Sequence, residues 1–356
     1  MIRVRELLDV IDAIAPWSIA MPGDPVGLQI GDPDQIVSSV GVAMDPDKAK
    51  IGKCHEAECR ALVVHHPLIY RPLTSLLNAD PVHLAVRDCV HLGISLIAAH
   101  TNWDNAVGGV NDALAQAIGL QKVEPFGEGG RMGQLKIAVF VPARSTSKVI
   151  GAMSEAGAGL IGNYERCAFY SEGVGTFRPG KAARPHIGKA GKIEKVREHR
   201  IEMIVDERQL GSIVSAMIAA HPYEEVAYDV YRLEQPKLFP MGRVGSLPKS
   251  VNLEQLAEYV GLCLDQPAVR AYGRPPARIK RVAVLGGSGG DYLRAAKAAG
   301  ADALVTGEAR HHQTIEAEQL KIGLIDAGHR ETEAPGVAEL ARRLAKAVDA
   351  KVVLLD

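Results

Sequence analysis

Short apolar runs alternate with helical patterns through both outer parts of the chain. The runs at 61–64 (ALVV), 94–99 (ISLIAA) and 303–306 (ALVT) are too short for helices and carry almost no polar residues. Continuous apolar strands of this kind are buried on both faces, as in a parallel sheet flanked by helices. Between the first two runs, Asp80 and Pro81 begin a predicted helix that Gly93 ends. The outer parts therefore predict an α/β fold with parallel-rich sheets and helices on both sides.

The middle of the chain has a different pattern. Residues 200–205 and 226–233 alternate with period two, and helical patterns occupy 147–156 and 209–220. Two short runs, at 167–170 and 175–177, are predicted to form a hairpin. The resulting β-α-β-β-α-β order predicts an inserted ferredoxin-like α+β domain. We therefore divide the chain into a first α/β lobe at 1–130, the insert at 131–237 and a second α/β lobe at 238–356.

Composition excludes several classes of function. The 356 residues have a formal net charge of −1 and only 4% aromatic residues, which disfavours general nucleic-acid binding. No run of about 18 apolar residues is present, so no membrane span is predicted. The N-terminal stretch has the pattern of an amphipathic helix rather than a secretory signal, and we expect a cytoplasmic protein. The five cysteines are scattered, which predicts reduced thiols rather than a zinc knuckle.

Polar side chains that can bind metals follow the apolar strands. His65 and His66 come directly after ALVV, and His100 follows ISLIAA. His329 follows a fourth strand, 323–326, and the His311–His312 pair follows ALVT after a short segment. Ligands of open α/β sheets bind at the carboxyl ends of the strands. The sequence therefore predicts a site at this edge of the sheets.

The spacing and the residue types point to metal ions. Asp104 follows His100 by four residues and Glu333 follows His329 by four, a spacing that places two side chains on one side of a helical turn. Imidazoles and carboxylates without cysteine suit Zn, Mn, Fe, Co or Ni. One tetrahedral zinc takes three or four protein ligands, so five candidates favour two divalent ions per subunit. The candidate ligands are His65, His66, Asp104, His329 and Glu333.

A glycine-rich segment, GGSGG at 286–290, follows another predicted strand. Its amides could present a phosphate cradle, but the spacing is not that of a dinucleotide-binding loop and no phosphate-binding lysine follows. A plain tight turn is the alternative. Residues 308–312 are interpreted as neighbours of the ligands or as substrate contacts.

The motifs VVHHPLIY, AHTNWDNAVGGVND, TGEARHH and DAGHRETE resemble those of the GTP cyclohydrolase 1 type 2 homolog family, also called the Ngg-one-interacting-factor-three-like family. The segment HPYEEVAYDVYRL is similar to the PII-like or CutA-like domain inserted in long bacterial members. The resemblance implies a two-lobed α/β protein with a dinuclear metal site between its lobes, assembled as a toroidal homohexamer. It also implies that Glu333 bridges the ions and that His100 is either a ligand or a water-orienting neighbour.

Two classes of function follow from these observations. The first is a metal-dependent hydrolase that acts on a nucleotide or related small molecule, with His100 or His312 carrying a proton as the catalytic residue. The second is a non-catalytic metal-binding, metal-handling or regulatory scaffold protein, in which the insert senses a small effector. The residues alone leave open whether the protein is an enzyme.

Overall fold

The computed structural model describes residues 1–162 and 164–356. Within these ranges the chain divides into two compact units. Unit 1 consists of Met1–Arg131 together with Leu238–Asp356, and unit 2 consists of Met132–Lys237. Across both described ranges, no helix is long and apolar enough to cross a membrane.

The chain contains strands β1 (Ile2–Arg3), β2 (Gly27–Ile30), β3 (Ile36–Val37), β4 (Ser39–Ala43), β5 (Ala61–Val64), β6 (Ser95–Ala98), β7 (Gln121–Phe126), β8 (Gly130–Met132), β9 (Gln134–Pro142), β10 (Phe169–Phe177), β11 (Glu194–Asp206), β12 (Tyr228–Arg232), β13 (Lys237–Phe239), β14 (Gly242–Val251), β15 (Arg270–Gly273), β16 (Ile279–Leu285), β17 (Ala303–Thr306), β18 (Gly323–Asp326) and β19 (Lys351–Leu354). Its α-helices are α1 (Val4–Ile14), α2 (Lys48–Glu56), α3 (Pro81–Leu92), α4 (Thr101–Asn105), α5 (Val110–Ala117), α6 (Thr146–Glu155), α7 (Leu210–Ala220), α8 (Leu253–Cys263), α9 (Leu293–Ala298), α10 (His311–Leu320) and α11 (His329–Ala347).

The first large sheet of unit 1 has the strand order β19-β4-β5-β6-β2. Strands β19, β4, β5 and β6 pair in parallel, and β2 joins the edge in the antiparallel direction. Every residue of β4, β5 and β6 is buried, as their continuous apolar sequences require. The predicted mixed α/β class with parallel strands is confirmed.

The second large sheet has the order β15-β18-β17-β16-β14-β7. Its three central strands, β16 to β18, are parallel, and the outer pairings are antiparallel. Each large sheet takes one edge strand from the other side of the insert, because β19 pairs with β4 and β7 pairs with β14. The stretches before and after the insert thus build both sheets together. The sequence of an edge strand does not identify its neighbour, so this exchange of edge strands was not predicted.

Two helices of unit 1 pack closely through Trp103 in α4. Its side chain is fully buried, and its Nε1 donates a hydrogen bond to the Gly336 carbonyl oxygen in α11, 3.0 Å away. A Cβ at Gly336 would lie 2.7 Å from the Val110 Cα of α5, so only glycine permits this approach. Helix α11 is therefore held against α4 and α5 at a fixed distance.

Unit 2 contains the order β9-α6-β10-β11-α7-β12 and an antiparallel sheet with the strand order β10-β11-β9-β12. One face of the sheet carries Ile137, Val139 and Val141, which belong to the same buried cluster as residues of α6 and α7. The predicted hairpin at 167–177 is wrong. Those residues contain the single strand β10, which pairs with β11 along its whole length, from Phe169 opposite Glu202 to Phe177 opposite Glu194.

Candidate metal centre

The carboxyl ends of neighbouring strands bring the first set of candidate residues together. His65 and His66 follow β5, and His100 follows β6, the parallel neighbour of β5. Their rings are close: the His65 and His100 centroids are 5.2 Å apart, and those of His66 and His100 are 5.7 Å apart. His329 is the first residue of α11 and follows β18 of the second sheet. Its ring centroid lies 5.3 Å from that of His66. Four imidazoles that follow strands of the two large sheets therefore form one cluster.

The Glu333 carboxylate lies at the centre of this cluster. Its Oε1 is 3.2 Å from His329 Nε2 and 3.6 Å from His65 Nε2, and its Oε2 is 3.0 Å from His66 Nε2. The Glu333 side chain is only 5% exposed. Asp104 adds a second carboxylate, with Oδ1 3.7 Å from His65 Nε2. A buried acid thus faces three imidazoles, and a second acid faces one of them.

Two overlapping triads have the spacing that a metal ion requires. The ligand atoms of His65, His66 and His100 lie within 4.8 Å of one another, and so do those of His66, His329 and Glu333. The two triads share His66 and together contain five candidate ligands.

Hydrogen bonds fix which nitrogen of His65, His66 and His100 faces the cluster. His65 Nδ1 donates to the Ala99 carbonyl oxygen at 3.0 Å, and His66 Nδ1 donates to Asp45 Oδ1 at 2.8 Å. His100 Nδ1 donates to Asp24 Oδ1 at 2.9 Å. A neutral imidazole that donates through Nδ1 has a lone pair on Nε2. This arrangement is typical of metal-binding histidines, whose second nitrogen is held by an oxygen acceptor.

Two buried atoms of the cluster lack a hydrogen-bond partner, and they provide a direct test of whether a cation fits. His65 Nε2 and Glu333 Oε2 are both fully buried without one. His66 Nε2 is 3.0 Å from Oε2 but forms no hydrogen bond with it. Lone pairs that face a carboxylate in a buried site cost free energy unless a cation lies between them. The donor set therefore fits a divalent ion that prefers nitrogen and oxygen ligands.

The pKa shifts show how strongly the cluster attracts positive charge. Burial alone would raise the pKa of the Glu333 carboxyl, but the His65 charge and the surrounding imidazoles hold it well below its usual range. Burial alone would lower the pKa of His66, but the hydrogen bond to Asp45 and the neighbouring Glu333 carboxylate raise it to about 10. The pKa of Asp104 is raised, chiefly by its burial. Metal binding must displace protons from such a cluster, so metal affinity should fall as pH falls.

The glycine-rich segment lies beside the cluster as a tight turn. Gly287 has φ +62°, and a Cβ there would overlap Glu333 Oε1. The amides of the turn donate to side-chain oxygens: Gly286 to Asn111, Gly287 to Thr332 and Gly289 to Thr306. Because these N–H groups already have partners, the structure favours the tight-turn interpretation over a phosphate cradle.

The sequence-predicted residues are not all in the cluster. His65, His66, His100, Asp104, His329 and Glu333 come together as described above. His312 lies at an exposed position in the first turn of α10. In the part of the chain that the structure describes, it belongs to neither candidate ligand group. Its catalytic role stays a prediction without a supporting contact. Glu308 lies nearer, with Oε1 4.0 Å from His329 Nδ1.

Sequence reasoning missed the residues that orient the histidines. Asp45 follows β4 by two residues, so the rule that found His65 and His100 at strand ends could have found it too. Asp24 lies in a loop before β2 and accepts hydrogen bonds from both His100 and Thr101. No pattern in the sequence marks such a loop residue. The Ala99 carbonyl that orients His65 leaves no sequence signal either, because every residue has a carbonyl.

The fold and the site together define an α/β protein with a buried histidine–carboxylate cluster that could hold metal ions. The sequence profile of Duf34/NIF3 (NGG1p interacting factor 3) matches residues 2–356. The chain belongs to this family, which confirms the resemblance at the family level.

Relatives and solved structures match nearly the whole chain. The GTP cyclohydrolase 1 type 2 homolog of Bacillus subtilis (strain 168) is 39% identical over 326 residues, covering 91% of this chain and 87% of that protein. The homolog of Mycobacterium tuberculosis is 37% identical over 350 residues, covering 96% and 91%. The crystal structure of a Bacillus cereus protein related to NIF3 has a TM-score of 0.88 at 35% identity, covering 99% of this chain and 96% of that one. Staphylococcus aureus protein SA1388 has a TM-score of 0.76 at 29% identity.

Proposed function

We propose that the cluster binds two divalent metal ions and that the protein is a metal-dependent hydrolase of a nucleotide or related small molecule. The observation that carries the proposal is the fully buried, unpartnered His65 Nε2, which faces two carboxylates. The names of the GTP cyclohydrolase 1 type 2 homologs suggest nucleotide hydrolysis for those relatives, and we extend that reaction class to this chain as part of the proposal.

The proposed ligands are His65, His66, Asp104, His329 and Glu333. Glu333 is suited to bridge two ions, because its Oε1 faces His329 and His65 whereas its Oε2 faces His66. His100 has its Nδ1 held by Asp24, and its ring stands beside those of His65 and His66. It is either a further ligand or the residue that orients water and carries a proton.

The surface of the cluster determines where a substrate approaches. The side chains of His329 and His66 are 42% and 25% exposed, whereas those of His65 and Glu333 are almost completely buried. Substrate therefore approaches on the His329 and His66 side. A pair of divalent ions, when bound, supplies positive charge and Lewis acidity for hydrolysis. The chain would hold the ions and orient the imidazoles through oxygen acceptors, and His100 would be the residue for proton transfer where it is not itself a ligand.

The first experiment separates metal binding from catalysis. Elemental analysis of the purified protein should find close to two divalent ions per chain. His65→Ala should lose most of them, and His55→Ala, which changes an exposed histidine in α2, should keep them. The metal-loaded protein is then tested with GTP and nucleotide phosphoesters. Turnover that His65→Ala abolishes supports the hydrolase. Metal binding without turnover of any substrate ends the enzymatic proposal, and rapid exchange of several metals in equilibrium dialysis would then favour metal handling.

Gly287→Ala tests whether the turn must leave space for the ligands. An added Cβ would overlap Glu333 Oε1 and lie 3.2 Å from His329 Nε2. Overpacking of this kind costs about 1–3 kcal/mol, so metal affinity should fall about tenfold. Gly300→Ala is the matched control, since Gly300 also has a positive φ, +80°, but its added Cβ would lie 3.8 Å from the Arg281 side chain, an ordinary contact distance. Equal metal affinity of the two variants, measured by titration calorimetry, would show that the turn does not constrain the site.

We also propose that unit 2 is a ferredoxin-like insert of the PII or CutA kind. Its β-α-β-β-α-β order and its β10-β11-β9-β12 sheet support this assignment. We propose as well that the chain assembles as a homohexamer and that its partner is a small-molecule substrate, as the family resemblance implies.

A further inference from the structure

Unit 2 contains a cavity that the metal cluster does not explain. Its volume is about 390 Å³, within the range of small-molecule sites. The lining includes Phe140 of β9, Phe177 of β10 and Glu198 of β11, together with residues of the loops at 178–187 and 223–227. Phe140 and Glu198 alternate along their strands with residues of the helix-packed core, so they stand on the opposite face of the sheet. The cavity lies between that face and the two loops.

A buried carboxylate forms part of the cavity wall. Glu198 is 8% exposed, and its Oε1 accepts a hydrogen bond from the Tyr223 hydroxyl at 2.9 Å. Gly173 lies opposite Glu198 on β10, and Gly175 is the next residue on the same face. A Cβ at Gly175 would overlap Glu198 Oε2, so the missing side chain leaves room for the carboxylate. A carboxylate offers about four acceptor positions, and the hydrogen bond from Tyr223 uses one of them.

Aromatic rings surround Tyr223. The centroid of its ring lies 6.0 Å from that of Phe177, 6.3 Å from that of His186 and 5.1 Å from that of His221. The His221 ring is fixed, because Nδ1 accepts from the Tyr223 amide at 3.1 Å and Nε2 donates to the Phe140 carbonyl oxygen at 3.0 Å. This ordered wall is therefore formed before any ligand arrives.

The charges of the lining select the kind of ligand. The lining contains three carboxylates, Glu198, Glu224 and Glu225, and one guanidinium, Arg178. The Arg144 guanidinium contacts the ring of the lining residue His186, which brings the count to two guanidinium groups against three carboxylates. The remaining excess of negative charge disfavours phosphates and carboxylic acids. Aromatic faces beside carboxylates instead favour organic cations, which gain cation–π attraction and charge-assisted hydrogen bonds.

We infer that this cavity binds a small organic cation, with a guanidinium or ammonium head against Glu198 and an apolar stem among the aromatic rings. The site is built entirely from residues of unit 2, so it is independent of the proposed metal chemistry. The HPYEE segment at 221–225 thereby has a specific role, since it supplies both the ring of Tyr223 and two of the carboxylates.

Calorimetry on the full-length protein tests the inference with three probes of nearly equal shape. These probes are n-butylguanidinium, n-butylammonium and the neutral n-butylurea. The two cations should bind with one site per chain, and n-butylurea should bind about tenfold more weakly or not at all. The inference is overturned if neither cation binds, or if n-butylurea binds with the same affinity as the cations.

Variants locate the binding in the cavity. Glu198→Gln keeps an oxygen for the Tyr223 hydroxyl but removes the charge, and it should weaken cation binding about tenfold. Glu172→Gln is the control, because this carboxylate on β10 has a side chain that is 91% exposed and does not line the cavity. Phe177→Leu removes an aromatic ring of the cavity but keeps Glu198, and it should also weaken cation binding. This variant tests the site if Glu198→Gln does not fold. Wild-type affinity in a folded Glu198→Gln or Phe177→Leu would refute the site. The metal content should be unchanged in all three variants.

Discussion

Glu333→Gln is expected to lower the affinity for divalent ions by at least about 100-fold. Removing only a neighbour of a metal ligand already costs about 10–100-fold, and Glu333 faces His65, His66 and His329 directly. Glutamine has nearly the same shape, so the loss would report the charge rather than a packing defect. Competition with a chromogenic chelator measures the affinity over the necessary range.

Glu331→Gln is the matched control for this experiment. Glu331 lies two residues earlier in α11 and belongs to neither candidate ligand group of the described residues, so its replacement removes the same charge from the same helix but no candidate ligand. We expect its metal affinity to stay within about fivefold of the wild type, since a partly exposed charge near a helix end contributes only about 0.3–1 kcal/mol. If Glu333→Gln bound metal as tightly as Glu331→Gln, the central position of Glu333 in the site would be wrong.

Trp103→Ala is expected to reduce the free energy of unfolding by about 3–5 kcal/mol. Trp103 is fully buried, and the variant would lose both its packing and its hydrogen bond to Gly336. The Arg343 guanidinium, 5.4 Å from the ring centroid, would lose a cation–π partner as well. Urea denaturation followed by circular dichroism measures the change.

The second tryptophan provides the comparison. Trp17 lies in a short 3-10 turn and is partly exposed, so Trp17→Ala should cost clearly less than Trp103→Ala. Because Trp103 precedes Asp104 in α4 and joins that helix to α11, Trp103→Ala should also weaken metal binding. Equal unfolding free energies for the two variants would show that the α4–α11 contact contributes little to stability.

The sequence predicts those elements whose burial and ends are determined by their own residues. Residues 61–64 were predicted as a buried strand, and β5 has the same bounds with every residue buried. Helix α3 begins and ends as expected: Asp80 accepts hydrogen bonds from two amides of the first turn, and Gly93 ends the helix with φ +63°. Apolar runs and capping residues carry this information locally, so no knowledge of the partner is needed.

Elements that depend on distant partners were harder to predict. Strand β7 is exposed at five of its six residues and includes Pro125, yet it pairs with β14 at a sheet edge, where proline is tolerated. The hairpin prediction leaves residues 171–174 between its two strands, but β11 pairs with these residues as part of one continuous strand. In the cluster, histidines after strands had a sequence signal, whereas Asp24 needed the folded loop to reach His100. His312 also follows a strand, but an intervening segment places it in an exposed helical turn.

The pairing of β19 with β4 has a consequence for biosynthesis. A ribosome makes β4 early, but the strand that covers its outer edge comes only with residues 351–354. Until then the nascent chain presents an uncovered, apolar strand edge, which is a template for association with other chains. All four strands of the 132–237 sheet, by contrast, emerge in one continuous stretch. Translation that stops before residue 351 would therefore leave a product prone to aggregate, so the cell must either complete this chain or degrade it.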